Sequence, residues 1–169
     1  GLGMGQIGLL YSGDKSAIVP ATARGIIFLL DFYNIDLSSK HIVVVGRSNL
    51  VGRPVAQMCL NRNATVTICH SHTKDLENIT KSADILIVAC GVPKFINKTY
   101  VREGQVIIDV GIHKMEGVTC GDVDFDKVKD IVSSITPVPG GVGPLTVVSL
   151  FQNLLDSIRD DGFTSKSYL

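Results

Sequence analysis

The residues best placed to do chemistry lie in the stretch Gly46-Arg47-Ser48-Asn49-Leu50-Val51-Gly52-Arg53-Pro54. Just before it runs His41-Ile42-Val43-Val44-Val45, a β-branched segment that stops abruptly at Gly46. A glycine leaving a strand permits a tight turn, and a small residue such as Ser48 lets the backbone approach a pyrophosphate. Gly52 lets the next helix pack close to the sheet, with its free amides facing an anion. The strict GxGxxG pattern is not met, because Ser48 replaces a glycine and Gly52 comes one residue late. A plain strand-to-helix turn also favours glycine. Inside a strand–helix–strand unit of this length, the better reading is a dinucleotide site.

The end of the following strand distinguishes between nucleotides. NAD sites place an acid there for the ribose hydroxyls, whereas Cys69-His70-Ser71-His72-Thr73 holds no carboxylate before Asp75. Arg47, Ser71 and an imidazole suit a 2′-phosphate better than two hydroxyls, so the predicted cofactor is NADP. His70 and His72 could share one face of a strand end and bind a metal. No third ligand is evident, so no metal is expected.

Pro137-Val138-Pro139-Gly140-Gly141-Val142-Gly143-Pro144 combines three prolines with three glycines. Such a backbone is stiff and carries little side chain, as expected of a segment shaped to lie against a flat ligand. Tyr11 and Lys15 have the spacing of several oxidoreductase sites, but Ser12-Gly13-Asp14 between them favours a turn. That match reads as coincidence on a surface loop.

The elements that must position these residues alternate in type. Strands are predicted at His41–Val45, Ala64–Cys69, Asp84–Ala89, Gln105–Val110 and Ile131–Ile135. Helices are predicted at Thr22–Tyr33 with Thr22 as cap, at Pro54–Asn61 and at Asp75–Lys81. A last helix is predicted at Gly143–Ile158, with Leu145, Val148, Phe151, Leu154 and Leu155 on its apolar side. The fold class is therefore α/β: a Rossmann-type doubly wound parallel sheet with helices on both faces. Glycines close several of the strands, at the edge where such folds collect ligands.

Composition narrows the function further. The 169 residues suit one domain spanning 1–169, and 45% hydrophobic with 19% charged residues is the profile of a packed globular chain. Lys+Arg and Asp+Glu are both 16, so no field attracts a nucleic-acid backbone. No apolar run is long enough to span a bilayer, no leader peptide is read, and no membrane partner is expected. Cys59, Cys69, Cys90 and Cys120 form no CxxC pair and read as buried thiols in a reducing compartment. The opening Gly1-Leu2-Gly3-Met4-Gly5 reads as a loop entered midway or a cloning scar before Met4.

Taken together, several motifs in order resemble the bifunctional methylenetetrahydrofolate dehydrogenase/methenyltetrahydrofolate cyclohydrolase family. They are Gly46-Arg47-Ser48 with Val51-Gly52 and Pro54, Thr67-Ile68-Cys69-His70-Ser71 with Thr73, Asp109-Val110-Gly111-Ile112, Gly121-Asp122-Val123, and Thr136 to Thr146. The resemblance implies NADP contacts at Gly46, Arg47, Ser48, Ser71 and Ile112. It implies folate contacts at Pro139, Gly140, Gly141, Val142, Gly143, Pro144, Leu145, Thr146 and Val147. The implied reaction is hydride transfer from methylenetetrahydrofolate to the nicotinamide, then hydrolysis to 10-formyltetrahydrofolate, in a cytoplasmic homodimer serving one-carbon metabolism and purine biosynthesis.

Two departures qualify the likeness. Pro20-Ala21-Thr22-Ala23 stands where the family has Pro-Cys-Thr-Pro. The family's N-terminal folate-binding domain, with its tyrosine and catalytic lysine, is also absent, so catalytic residues are expected upstream of Gly1. Two rival readings remain at this point. One is a different Rossmann dehydrogenase, acting on a hydroxy acid or a shikimate-like substrate. The other is a nucleotide-binding or dimerising module with no activity of its own.

Overall fold

A computed structural model describes residues 2–160. Five parallel strands form the central sheet: β1 (His41–Val45), β2 (Thr65–Cys69), β3 (Ile85–Val88), β4 (Val106–Asp109) and β7 (Ser134–Ile135), in the order β2-β1-β3-β4-β7. A separate antiparallel hairpin pairs β5 (His113–Met115) with β6 (Val118–Cys120). The helices are α1 (Met4–Ser12), α2 (Ala21–Phe32), α3 (Gly52–Leu60), α4 (Leu76–Ser82), α5 (Phe125–Val128) and α6 (Val142–Asp160).

Side-chain alternation along the strands builds two cores. Ile42, Val44, Ile85, Ile87 and Ile108 pack with α2, α3 and the start of α6. Their neighbours Val43, Val45, Leu86, Val88 and Ile107 pack on the opposite face with Ala83, Ile96, Val101, Val123 and Val128. A strand covered on both faces must be apolar at every position, which is why these runs read so clearly as β-branched segments. The doubly wound α/β architecture expected from the sequence is thus the one observed.

Several local expectations are corrected. The fifth strand keeps only Ser134–Ile135 of the predicted Ile131–Ile135, because the Ile131 and Val132 amides still bond back to the Val128 carbonyl. Thr22 does not cap α2: the N-cap is Pro20, with no side-chain cap, and Thr22 Oγ1 instead meets Thr146 Oγ1 at 3.4 Å. The glycine-rich opening is not a loop but forms α1 from Met4, terminated by Gly13 in the left-handed conformation with its N–H on Leu10 O.

Helix α6 turns most of its apolar side outward. Leu145 packs partly against the core, but Val148, Phe151, Leu154 and Leu155 face outward, Phe151 at 64% exposure. The buried stripe is polar instead, running through Ser149 and Asn153. Asn153 donates to Val19 O at 2.8 Å and accepts from Arg24 Nη1 at 2.7 Å, and Arg24 also pairs with Asp156 at 2.7 Å. Those bonds satisfy Asn153, so its amide can face α2 without an unpaired donor or acceptor, whereas Ser149 Oγ is buried with no hydrogen-bond partner among the described residues.

The thiols follow the expected burial in part. Cys59 and Cys69 are buried, Cys90 and Cys120 half-buried, and all four are free. Burial pushes Cys59 up to about 12 and Cys90 up to about 11.

Candidate functional site

The strand order reverses between β1 and β3, and the carboxyl ends of a doubly wound sheet hold ligands at that crevice. The turn leaving β1 occupies it. Gly46 has φ +125°, and a Cβ there would overlap the Ala89 carbonyl at the end of β3. Its N–H reaches Cys69 O at 2.9 Å, so the turn is wedged between the ends of β2 and β3. Gly52 begins α3 directly against the Gly46 carbonyl, leaving no room for a Cβ. Ser48 Oγ accepts from Val51 N at 3.1 Å and Gly52 N at 3.4 Å, capping the helix start. The amides of Val51 and Gly52 are therefore already engaged. Those of Arg47, Ser48, Asn49 and Leu50 have no partner within the described residues and remain available to an anion.

The pairing Val45↔Cys69 sets the turn leaving β2 beside Gly46 and Arg47. This turn is closed on itself. Thr73 N–H donates to His70 O at 2.8 Å, His70 N–H to Thr73 Oγ1 at 2.9 Å and His72 N–H to His70 Nδ1 at 3.1 Å. Ser71 and Arg47 are exposed. Asp75, the first carboxylate after the strand, is occupied by Asn78 Nδ2 at 2.8 and 3.0 Å. Among the described residues, no group of three or more His, Cys, Asp or Glu is placed to hold a metal.

At the ends of β3 and β4 two buried carboxylates tie neighbouring turns together. Asp109 accepts from Gly111 N at 3.0 Å, Asp122 N at 2.9 Å and Val123 N at 2.9 Å. Asp122 accepts from Cys90 N at 2.7 Å and Gly91 N at 2.9 Å, and its Oδ1 lies 2.7 Å from His113 Nε2. Burial pushes Asp109 up to about 6, although its three amide bonds favour the ionised form. Gly111 and Gly121 lie so close to Asp122 and Asp109 that a Cβ on either would overlap a carboxylate. Ile112, 64% exposed, projects from between two residues held in this way.

The proline–glycine segment leaves β7 from Thr136, whose Oγ1 accepts from Asp109 N at 2.8 Å. The Val138–Pro139 peptide is cis, and Gly140 has φ +102° with nothing within 4 Å of an added Cβ. Gly141 differs, since its Cβ would meet Pro137 O at 2.5 Å. Helix α6 already starts at Val142, so only Pro139–Gly141 of the residues predicted to face folate are outside a helix. Val142 itself is buried in the core.

The model of the tetrahydrofolate dehydrogenase/cyclohydrolase NAD(P)-binding domain family matches residues 20–161. The chain belongs to this family. Bifunctional protein FolD of Bacillus cytotoxicus is 51% identical over 162 residues, covering 95% of this chain and 56% of that protein. Crystal structures agree in fold. The bifunctional FolD dehydrogenase/cyclohydrolase of Campylobacter jejuni superposes with a TM-score of 0.89 at 46% identity, over 92% of this chain and 55% of that one. The Trypanosoma brucei FolD, complexed with NADP and an inhibitor, superposes with a TM-score of 0.87 at 35% identity, over 95% and 57%. The chain thus spans about half the length of the curated relatives it matches.

In this NAD(P)-binding domain the predicted site residues fall into two groups. Gly46, Arg47, Ser48 and Ser71 come together at the ends of β1 and β2. Ile112 lies apart from them at the end of β4, with its Cδ1 3.6 Å from where a Cβ on Gly143 would stand. It therefore borders the proline–glycine segment. Leu145 and Thr146 turn toward the core and α2, while Val147 is exposed on the outer face of α6. Sequence reasoning singled out Asp109 and Asp122 only as parts of motifs, and did not foresee the pairing with each other and with His113.

Proposed function

We propose that the protein containing this chain oxidises 5,10-methylenetetrahydrofolate to 5,10-methenyltetrahydrofolate with NADP and hydrolyses the product to 10-formyltetrahydrofolate. Residues 1–169 supply its nucleotide-binding domain and the proline–glycine wall of the folate site, and the catalytic residues and the rest of that site come from the remaining length that the relatives carry. The observation that carries this reading is the 51% identity to a bifunctional FolD across 95% of the chain.

The residues present fit the cofactor. The Gly46 and Gly52 cradle has no room for side chains, and the unbonded amides of Arg47 to Leu50 suit a pyrophosphate. When bound, NADP supplies the hydride acceptor. The chain's own part is to grip the phosphates at the β1 turn, offer Arg47 and Ser71 to the 2′-phosphate, and set Ile112 and Pro139–Gly141 beside the reacting ring. A homodimer in the cytoplasm completes the reading, supported by the outward apolar row on α6 and the four free thiols. No helix among the described residues is long and apolar enough to cross a membrane.

Arg47→Ala is expected to weaken NADP binding about ten- to a hundredfold, since a charge-assisted bond to phosphate contributes about 1.5–3 kcal/mol. NAD affinity should stay within about twofold. Titrating both nucleotides checks this, and equal losses would reject Arg47 as the 2′-phosphate contact. Alongside it, reduction of NADP by the full-length gene product supplied with methylenetetrahydrofolate tests the reaction itself. No such reduction would reject the activity.

The folate-facing role of the proline–glycine segment is best tested at Gly140. Gly141→Ala would displace the Pro137 carbonyl and so confuse folding with function. Gly140→Ala meets open space and bears only the strain of its positive φ. Turnover of methylenetetrahydrofolate should fall on the order of ten- to a hundredfold through misplacement of the ligand wall. NADP binding should change less than about twofold. Normal turnover would show that the segment is only a connector.

A further inference from the structure

The β3–β4 ladder ends at the pair Val88↔Asp109, and the last backbone bond between them is Val110 N to Val88 O at 2.9 Å. Beyond that point the two turns share no direct backbone bond, and the β3 side is tied to the chain after β6 through Lys94 N to Gly121 O and Ile96 N to Asp122 O, both at 3.0 Å. The side chain of Asp122 bonds to both turns at once, fully buried and with both carboxylate oxygens in use. One oxygen takes the Cys90 and Gly91 amides from the β3 turn. The other takes His113, which follows Ile112 on the β4 side. Asp109 anchors the arrangement from below through the amides of Gly111, Asp122 and Val123.

Two adjacent buried carboxylates are an expensive way to join two loops, and an apolar contact of the same volume would serve stability as well or better. What carboxylates add is direction, since each bond fixes one amide or ring relative to the others. The bonded groups flank one exposed side chain, Ile112, and both turns lie at the ligand-bearing edge of the sheet. A dinucleotide crosses that edge at the strand reversal. With the phosphate turn and the 2′-phosphate residues on the β1–β2 side, the other half extends over the ends of β3 and β4.

We propose that Asp122, oriented by Asp109 and bonded to His113, is a positioning residue that sets the spacing of the β3 and β4 turns for the nicotinamide half of the cofactor. This rests on the NADP reading given above. Asp122 touches no ligand itself and acts through the Cys90–Gly91 amides and through Ile112.

The test compares two probes on the full-length gene product: NADP, and adenosine 2′,5′-bisphosphate, which carries only the adenosine half. Asp122→Ala should raise the Kd for NADP about tenfold or more while leaving that of the bisphosphate within about twofold. A purely structural role would shift both probes together or neither, and either result overturns the proposal. Should Asp122→Ala fail to fold, His113 carries the same test. His113→Ala removes one bond at the half-buried side and should weaken NADP alone by about three- to tenfold. His113→Gln, whose amide nitrogen can take the place of Nε2, should restore it. Loss of the bisphosphate in His113→Ala, or no recovery in His113→Gln, overturns the assignment. Wild-type protein that binds neither probe would instead refute the cofactor reading, a failure visible before any variant is made.

Discussion

Alanine at Gly46 is expected to destabilise the protein by about 2–6 kcal/mol and to remove saturable NADP binding with it. Two costs add there. The backbone sits at φ +125°, a conformation worth about 1–3 kcal/mol of strain in any other residue. The new methyl also overlaps the Ala89 carbonyl, at the end of a central strand that cannot retreat, adding about 1–3 kcal/mol. Thermal unfolding should show a Tm lower by roughly 5–20 °C. Gly91→Ala is the control, having φ +72° with nothing within 4 Å of its Cβ. It should bear strain alone, about 1–2 kcal/mol. Equal melting of the two variants would mean that the contact between Gly46 and Ala89 is not what requires glycine.

The second large effect is a pH dependence centred on Asp109. Its carboxyl is raised to about 6 by burial, above the unfolded value near 3.9. Between those values the folded state holds a proton that the unfolded state has released, so stability falls as pH rises from about 4 to about 6. The group's contribution over that window is roughly 3 kcal/mol. Below pH 4 both states are protonated, and above about 6 neither is. Asp109→Asn removes the titration, at the cost of turning one amide group toward a backbone N–H it cannot accept from. The wild type's stability advantage over Asp109→Asn should therefore shrink by about 3 kcal/mol between pH 4 and pH 7 in denaturant titrations. A constant difference would mean that Asp109 ionises at its ordinary value.

How much of this could be read in the sequence depended on what holds each element. The central strands β1, β3 and β4 were legible because each is buried on both faces and stops at or near a turn residue, as His41–Val45 does at Gly46. The β5–β6 hairpin was not, since His113-Lys114-Met115 and Val118-Thr119-Cys120 are short and partly polar. Its one signal was the two-residue turn Glu116-Gly117, both at positive φ. Helix α1 was hidden by Gly3, Gly5 and Gly8, which lower helix propensity.

For α6 the apolar side was legible but its covering was not, because periodicity marks an apolar side without saying what covers it. Here Arg24 and the Val19 carbonyl make the polar side the buried one. At the site, the β1 turn was visible as local chemistry within a few residues. The carboxylate pair was not, because Asp109 and Asp122 are thirteen residues apart and meet only when the hairpin folds back onto the end of β4.

The buried Cys59 gives this protein a built-in clock for opening. With thiols raised to about 12 at Cys59 and about 11 at Cys90, the thiolate fraction at pH 7 is on the order of one in 10⁴ to 10⁵. An alkylating reagent therefore gains little from the closed form. Labelling of the fully buried Cys59 must wait for α3 to lift from the sheet, whereas Cys90 is half-buried and is held back by its small thiolate fraction. The Cys59 rate therefore reports one partial unfolding with its own free energy. A bound nucleotide gripped at the β1 turn should slow it.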